Sequence, residues 1–367
     1  MNRLLNNIFG FLLLILITSG CFNDSNIPGN TKVILGKGVN ISHWLSQSQR
    51  RGEERRAYFK EGDVRRIAEA GFDHIRIPID EEQMWTEDGH KEEEAFLLLN
   101  NAIQWAMKAD LKIVVDLHII RSHHFLDKDP ALFRDEKEAI KLAGFWRQLS
   151  EQLKKYPRDM VVYEVLNESV AQDHEDWNRI FMYPYNEIRK LEPERTIIMG
   201  SNRWQSASTF PYLKVPDDPN MILSFHFYTP IMVTHYQASW NATANYEGPI
   251  HYPGQTIMVE DTIGAGEELS KALASHDWGF WNREKLEEII KTPVEIADSL
   301  NLPLYCGEFG CYSPAPTDIR AKWFNDVLFI LNKNDISWAV WDYKSEGFGL
   351  FNEEGTNPIF EVIEDNL

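Results

Sequence analysis

The chain has 367 residues, 43% of them apolar and 25% charged, a globular balance with room for one large core. Its net charge of −19, from 56 acidic against 37 basic side chains, argues against nucleic acid and against polyanionic glycans as partners. Such ligands need a basic stripe, and none is visible. Twelve Trp and thirteen Tyr point elsewhere, because flat aromatic faces stack on the apolar faces of pyranose rings.

Residues 1–20 carry Arg3, an apolar run from Ile8 to Ile17, and Thr18-Ser19-Gly20 directly before Cys21. A short positive start, an apolar centre and small residues before a cut describe an export signal. The run is too short to span a bilayer, which needs roughly 20 residues. A Cys directly after Ser-Gly is what bacterial lipoprotein processing requires. Cys21 is therefore expected to carry a lipid, and the polar residues 21–31, with Pro28 and Gly29, to form its tether. The expected location is the bacterial cell envelope, with the protein held to a membrane by this anchor and neither membrane face favoured. A plain signal peptide with an incidental Cys21 is the alternative.

Residues 32–367 read as the folded domain. Near-continuous apolar, β-branched runs mark strands at 37–42, 74–79, 112–118 and 161–168, then at 195–201, 221–228, 303–309 and 337–343. Continuous rather than alternating hydrophobicity is what strands buried on both faces show. Amphipathic stretches at 63–70, 92–109, 136–155, 176–191, 284–300 and 317–332 lie between them. Gly71-Phe72 suits a helix C-cap leading into the next strand. Arg50, Arg51, Arg55 and Arg56, with Glu53 and Glu54, read as a solvated mixed-charge helix. Eight strands alternating with helices, without repeat or linker, imply an α/β fold, expected as a single-domain (β/α)8 barrel. An open doubly wound sheet is the competitor, but the glycine-rich phosphate turn it brings to mind is absent. Residues 229–283 carry much Trp, Tyr, His, Gly and Pro and no convincing strand. A stretch that long is usually functional, so part of the substrate cleft is expected there.

Barrels of this kind carry catalytic residues at the C-terminal ends of their strands. There the chain delivers Arg76, then Asp116 and His118, Asn167 and Glu168, His226 and Tyr228, Glu308, and Trp341. Buried Arg, His and Glu are costly unless paired, so polar groups closing apolar runs at one rim mark a site. Two carboxylic acids on opposite strand ends are what glycoside hydrolysis needs, one protonated and one ionised. Glu308, beside Arg76 and the Tyr228 hydroxyl, is expected to stay charged, and Glu168, close to that charge, to have its pKa raised. No metal-ligand cluster of credible spacing appears, and the chemistry needs no cofactor. His43 and Trp44 follow the first strand as candidates for a subsite floor. Asn40-Ile41-Ser42 matches a glycosylation pattern that a bacterial lipoprotein would not normally use. Cys306 and Cys311 could bridge or stay free.

These residues resemble glycoside hydrolase family 5, the cellulase and mannanase family of clan A. Leu166-Asn167-Glu168 resembles its acid/base motif, and Gly307-Glu308-Phe309-Gly310 its nucleophile motif. Arg76 in IRIP, His118 in DLH, His226 and Tyr228 in HFY, and Trp341 in VWDY match signature positions in order. The likeness runs from about Gly36 to the C-terminus. It implies Glu168 as acid/base, Glu308 as nucleophile, Asn167 on the sugar 2-hydroxyl and Trp341 as a sugar platform. Arg76 and Tyr228 would hold the nucleophile, and His118 and His226 would line the subsite. Many members carry a histidine directly after Asp-Leu-His; here Ile119 and Ile120 follow, with His123 and His124 later, and His124 is a candidate to rebuild that wall. The segment from Thr234 to Trp240 is similar to a Thr-His-Gln-x-x-Trp segment of some bacterial cellulase-type members. That adds Trp240 to the candidates and favours a glucan.

The expected activity is endo-acting, retaining hydrolysis of a β-1,4-glucan. A β-mannanase, xyloglucanase, mixed-linkage glucanase or exo-acting β-glucosidase are alternatives, since fold and catalytic set do not fix the polymer. A non-catalytic glycan-binding lipoprotein is the alternative of another class. It predicts erosion of Glu168 or Glu308, and both stand.

Overall fold

The computed structural model describes residues 32–367 apart from 263, 265, 276–278 and 353–354. The export signal, Cys21 and its tether lie outside the described residues. Eight parallel strands form a closed barrel: β1 (Lys37–Asn40), β2 (His74–Asp80), β3 (Lys112–Ile119), β4 (Val161–Glu164), β5 (Ile197–Gly200), β6 (Met221–Phe227), β7 (Leu304–Phe309) and β8 (Ser337–Val340). Each pairs with its neighbours in sequence, and β1 pairs with both β2 and β8 to close the ring. All eight expected strands are present, and the fold is the expected (β/α)8 barrel. Every residue of β2, β6 and β7 is buried, including the polar His74, Arg76 and Asp80 that alternate with isoleucines along β2.

Helices α1 (Gly52–Tyr58), α2 (Glu61–Glu69), α3 (Glu93–Lys108), α4 (Glu136–Leu153), α5 (His174–Leu191), α6 (Arg283–Leu300) and α7 (Thr317–Lys333) pack around the ring, with a further helix at Glu267–Ser275 and shorter turns between. The caps explain the starts: the side chains of Asp135, Asp173 and Asn282 accept from the first-turn amides of α4, α5 and α6. On α4, Leu142, Phe145, Trp146, Leu149 and Leu153 recur at helical spacing and are all buried. Each such burial stabilises by roughly 1.5–3 kcal/mol. Trp146 also donates from Nε1 to the Val165 carbonyl at 2.7 Å, tying this helix to the segment that carries Asn167 and Glu168.

Two expectations need correcting here. The α1 helix is not wholly solvated: Arg55 is buried and bonds Gln83 Oε1 at 3.1 Å, with Glu92 and Glu94 closing the cluster. Its partners lie far along the chain, so charge pattern alone does not reveal them. Residues 229–283 do hold a strand pair, Gly254–Gln255 antiparallel to Phe280–Trp281, but two residues per strand leave no periodicity to read. Cys306 and Cys311 are buried free thiols.

Inside the barrel, strand alternation sets a layered plan. Val114, Val162, Ile198, Ile222, Tyr305 and Ala339 belong to an apolar cluster distinct from the main core. Two positions further along those strands stand Asp116, Glu164, Gly200, Ser224, Gly307 and Trp341. Two further along β3 and β6 stand His118 and His226. The interior thus changes from apolar to polar toward the C-terminal rim.

Candidate active site

The polar layer is organised by Arg76, which is fully buried on β2. Its Nε donates to Glu164 Oε2 at 2.7 Å, and Nη1 donates to Asn40 Oδ1 at 2.9 Å and Glu308 Oε1 at 2.8 Å. Nη2 donates to Asn167 Oδ1 at 2.9 Å and Glu164 Oε1 at 3.2 Å, and lies 3.0 Å from Asp116 Oδ2. Burial works against the guanidinium charge, but Asp116, Glu164 and Glu308 outweigh it and hold the pKa above its usual value. A buried cation without such partners would be strongly destabilising. Gln205 completes the layer by donating to Glu164 Oε1 at 2.8 Å. Gly200 makes room for it, since a Cβ there would stand 2.3 Å from the Gln205 amide carbon.

Glu308, the penultimate residue of β7, has both oxygens engaged, Oε1 by Arg76 and Oε2 by the Tyr228 hydroxyl at 3.0 Å. Glu168 lies four residues past β4 with φ 27°, and its Oε1 is 2.8 Å from His226 Nδ1. The same nitrogen is 3.6 Å from Glu308 Oε2. One oxygen of each glutamate and the histidine nitrogen all lie within 4.8 Å of one another. Burial raises the Glu168 pKa to about 7, against the pull of His118 and Arg76 and with help from Glu164. The expected rise is there, but dehydration rather than the Glu308 charge is its main cause. Glu308 departs from expectation: burial raises it too, opposed by His226 and Arg76. Its two donors still favour the ionised form, whereas Glu168 has one partner in His226, a neutral ring whose pKa burial lowers to about 4.

His118 Nδ1 lies 2.6 Å from Asp116 Oδ2, and its ring stacks on Trp341 at 5.7 Å and 11°. Burial takes His118 down to about 3 and pushes Asp116 up, the latter against the pull of Arg76. Among the described residues, only Glu168, His226 and Glu308 group in a way that could hold a metal ion. The Glu308 oxygens there already accept from Arg76 and Tyr228.

A cleft of about 1540 Å³ opens over this layer, lined by His43, His118, His124, Asn167, Glu168, His226, Tyr228, Trp240, Glu308 and Trp341. Arg76 lies beneath it. Trp240 is half exposed and edge-on to Tyr312 at 5.3 Å, so the 229–283 segment does supply cleft wall. Trp44 is the exception among the candidates and is not part of the cleft. It is fully buried, packs on Phe59 at 5.0 Å and donates to the Arg55 carbonyl at 2.8 Å. His43, with φ 54°, faces the cleft while its neighbour enters the core.

Sequence reasoning missed Asn40, Glu164, Gln205 and Trp204. Asn40 was visible only as a glycosylation pattern, yet it is buried against Arg76. Glu164 could have been found from the two-residue step beyond Val162. Trp204 and Gln205 had no signal, because a left-handed backbone places them.

The model of the family described as "Cellulase (glycosyl hydrolase family 5)" matches residues 56–347. Endoglucanase C of Acetivibrio thermocellus is 32% identical over 337 residues, 90% of this chain and 97% of that protein. Cellodextrinase A of Ruminococcus flavefaciens is 29% identical over 304 residues, covering 82% and 83%. Among solved structures, a hyperthermophilic endo-β-1,4-glucanase in complex with substrate superposes with a TM-score of 0.73 at 26% identity, covering 90% of this chain and 97% of that one. With a closed barrel carrying one glutamate just past β4 and another near the end of β7, the chain belongs to the cellulase family, glycosyl hydrolase family 5.

Proposed function

We propose that the protein is a retaining endo-β-1,4-glucanase in which Glu308 attacks the anomeric carbon and Glu168 serves as acid, then base. The observation that carries this is the close approach of the two glutamates, with oxygens within 4.8 Å. Retaining enzymes hold their carboxyls about 5–5.5 Å apart, whereas inverting enzymes leave about 6.5–9.5 Å for a water. In the first step Glu168 gives its proton to the leaving oxygen as Glu308 bonds to C1 and the glycosidic bond breaks. In the second, Glu168 takes a proton from water, the water oxygen bonds to C1, and Glu308 leaves as a carboxylate. The Tyr228 and Arg76 donors hold Glu308 ionised for attack. Asn167, anchored through Oδ1 on Arg76 and with its amide nitrogen 3.4 Å from His118 Nε2, has a second N–H for a sugar hydroxyl.

Endo action on glucan is supported by endoglucanase C and by the solved endo-β-1,4-glucanase. A second reading, β-mannan, has support of its own: the Thermotoga maritima relative, 26% identical, was solved with mannotriose and with cellobiose. Reducing-sugar release from soluble β-glucans, glucomannan, galactomannan, xylan and xyloglucan tests both, with Glu308→Ala as blank. Release centred on β-1,4-glucan is expected. Silence across the panel would refute the proposal.

We also infer envelope anchoring through a lipid on Cys21, supported by the residue order around it. Cys21→Ala, expressed in a bacterium, should shift the protein from the membrane to the soluble fraction; an unchanged distribution would remove the anchor from the account.

A further inference from the structure

The loop after β1 carries Gln47 in left-handed backbone (φ 50°). Residues with a Cβ seldom adopt this conformation, and it persists where surrounding bonds impose it. Those bonds are present. The Gln47 amide donates to Asp80 Oδ2 at 2.6 Å, the Asp80 amide donates to the Leu45 carbonyl at 2.8 Å, and Gln83 Nε2 donates to the Ser48 carbonyl at 2.6 Å. Trp44, Leu45 and Ser46 are buried, whereas Gln47 lines the cleft. The end of β2 thus fixes where the Gln47 side chain stands, and its Nε2 lies 3.3 Å from His118 Nε2.

A second amide approaches the same ring nitrogen. Asn167 Nδ2 is 3.4 Å from His118 Nε2, and its orientation is set, because Oδ1 accepts from Arg76 Nη2 at 2.9 Å. The NH2 end of Asn167 therefore faces the ring. Burial keeps His118 neutral, and a neutral imidazole has one N–H and one lone pair. Donor against donor is repulsive, so the lone pair belongs on Nε2 and the proton on Nδ1. The other side of the ring agrees. Nδ1 is 2.6 Å from Asp116 Oδ2, and that oxygen lies 3.0 Å from Arg76 Nη2, whose charge favours it unprotonated and accepting. Burial pushes the Asp116 carboxyl up and works the other way. The amides decide, since a proton on Asp116 donated to Nδ1 would leave an Nε2–H facing the Asn167 N–H.

We propose that Gln47 is a positioning residue that, with Asn167, sets His118 as the Nδ1-protonated tautomer, so that this ring accepts a hydrogen bond from the sugar and gives none. His118 and Asn167 line the cleft with the two glutamates, so the hydroxyl concerned belongs to the sugar whose C1 those glutamates act on. That hydroxyl donates to the His118 lone pair, and its oxygen accepts from an amide N–H beside it. This rests on the glycosidase reading above.

The direct readout is the site of the ring proton, taken from the two nitrogen shifts of His118 by NMR of protein carrying nitrogen-labelled histidine, with His118→Asn identifying the signals. In the wild type the proton is expected on Nδ1. Gln47→Glu puts an acceptor where a donor stood and should bring a proton to Nε2. Gln47→Met keeps the length, removes the donor, and should give a mixture of the two tautomers. In Gln47→Glu, kcat/KM should fall roughly ten-fold, the scale of one lost hydrogen bond, with a smaller loss in Gln47→Met. The fall should be alike for cellotetraose and for β-cellobiosyl fluoride, whose fluoride leaving group fills no sugar site, because both present the same sugar to His118. Were Gln47 only a packing residue of its loop, turnover could fall but the ring pattern would stay that of the wild type. A wild-type proton on Nε2, or an unchanged ring pattern in both variants, overturns the proposal. A wild type that turns over neither substrate instead overturns the glycosidase reading, and with it the sugar contact proposed for His118, whatever the ring shows.

Discussion

The acid role of Glu168 makes a pH prediction that depends on the leaving group. Burial lifts this carboxyl from its ordinary 4.5 to about 7. The rise corresponds to roughly 3 kcal/mol favouring the protonated form. At pH 8 a group with pKa about 7 is about 9% protonated, whereas one at 4.5 would be about 0.03% protonated. Burial therefore keeps on the order of 10²-fold more enzyme competent at that pH. The sign follows directly: a raised carboxyl is a proton donor below about 7 and loses that capacity as pH rises through it. The assay is kcat/KM between pH 4 and 9, as conditions, on cellotetraose and on β-cellobiosyl fluoride. Cellotetraose should show a basic limb near 7, and the fluoride, which needs no proton on departure, should lose that limb. The same limb on both substrates, or a cellotetraose limb near 4.5, would refute the assignment.

Other outcomes follow from the same structure. Glu308→Ala should lower turnover on the order of 10⁴-fold or more while keeping the native circular dichroism spectrum and melting temperature within a few degrees. Loss of the fold would make its role structural. Glu164→Ala would leave Arg76 short of the carboxylate that takes two of its bonds, and should cost about 3–5 kcal/mol in denaturant unfolding. An unshifted midpoint would show that Asp116 and Glu308 suffice. Trp44→Ala should cost about 3–5 kcal/mol with KM nearly unchanged, because the ring is core. A raised KM at full stability would restore the subsite floor that the sequence suggested.

Much of this architecture was legible in the sequence, for a simple reason: barrel strands are buried on both faces and leave mainly apolar runs. The ends were less legible. The run at 161–168 holds a strand only to Glu164, because Asn167 and Glu168 stand beyond it, with Glu168 in left-handed backbone. The catalytic pair could be read because each glutamate closes a strand run. What surrounds it could not. Arg55 finds Glu92 and Glu94 only through tertiary packing, and Trp44 is core because His43 takes the cleft-facing position. Trp204 reaches the cleft through three left-handed residues whose sequence, Arg-Trp-Gln, carries none of the glycines that announce such a turn. Burial still raises the Glu308 carboxyl because Arg76 is shared among three carboxylates, and it is Glu164, which takes two of its bonds, that Arg76 brings below its usual pKa.

The central claim is that Glu308 forms a covalent bond to the sugar. A 2-deoxy-2-fluoro-β-cellobiosyl fluoride slows release of that intermediate, and mass spectrometry of the intact and digested protein locates it. The account predicts one added glycosyl group, on the peptide that contains Glu308, and β-anomeric first products by proton NMR. A label on another residue, or unlabelled protein with α-anomeric products, would contradict it.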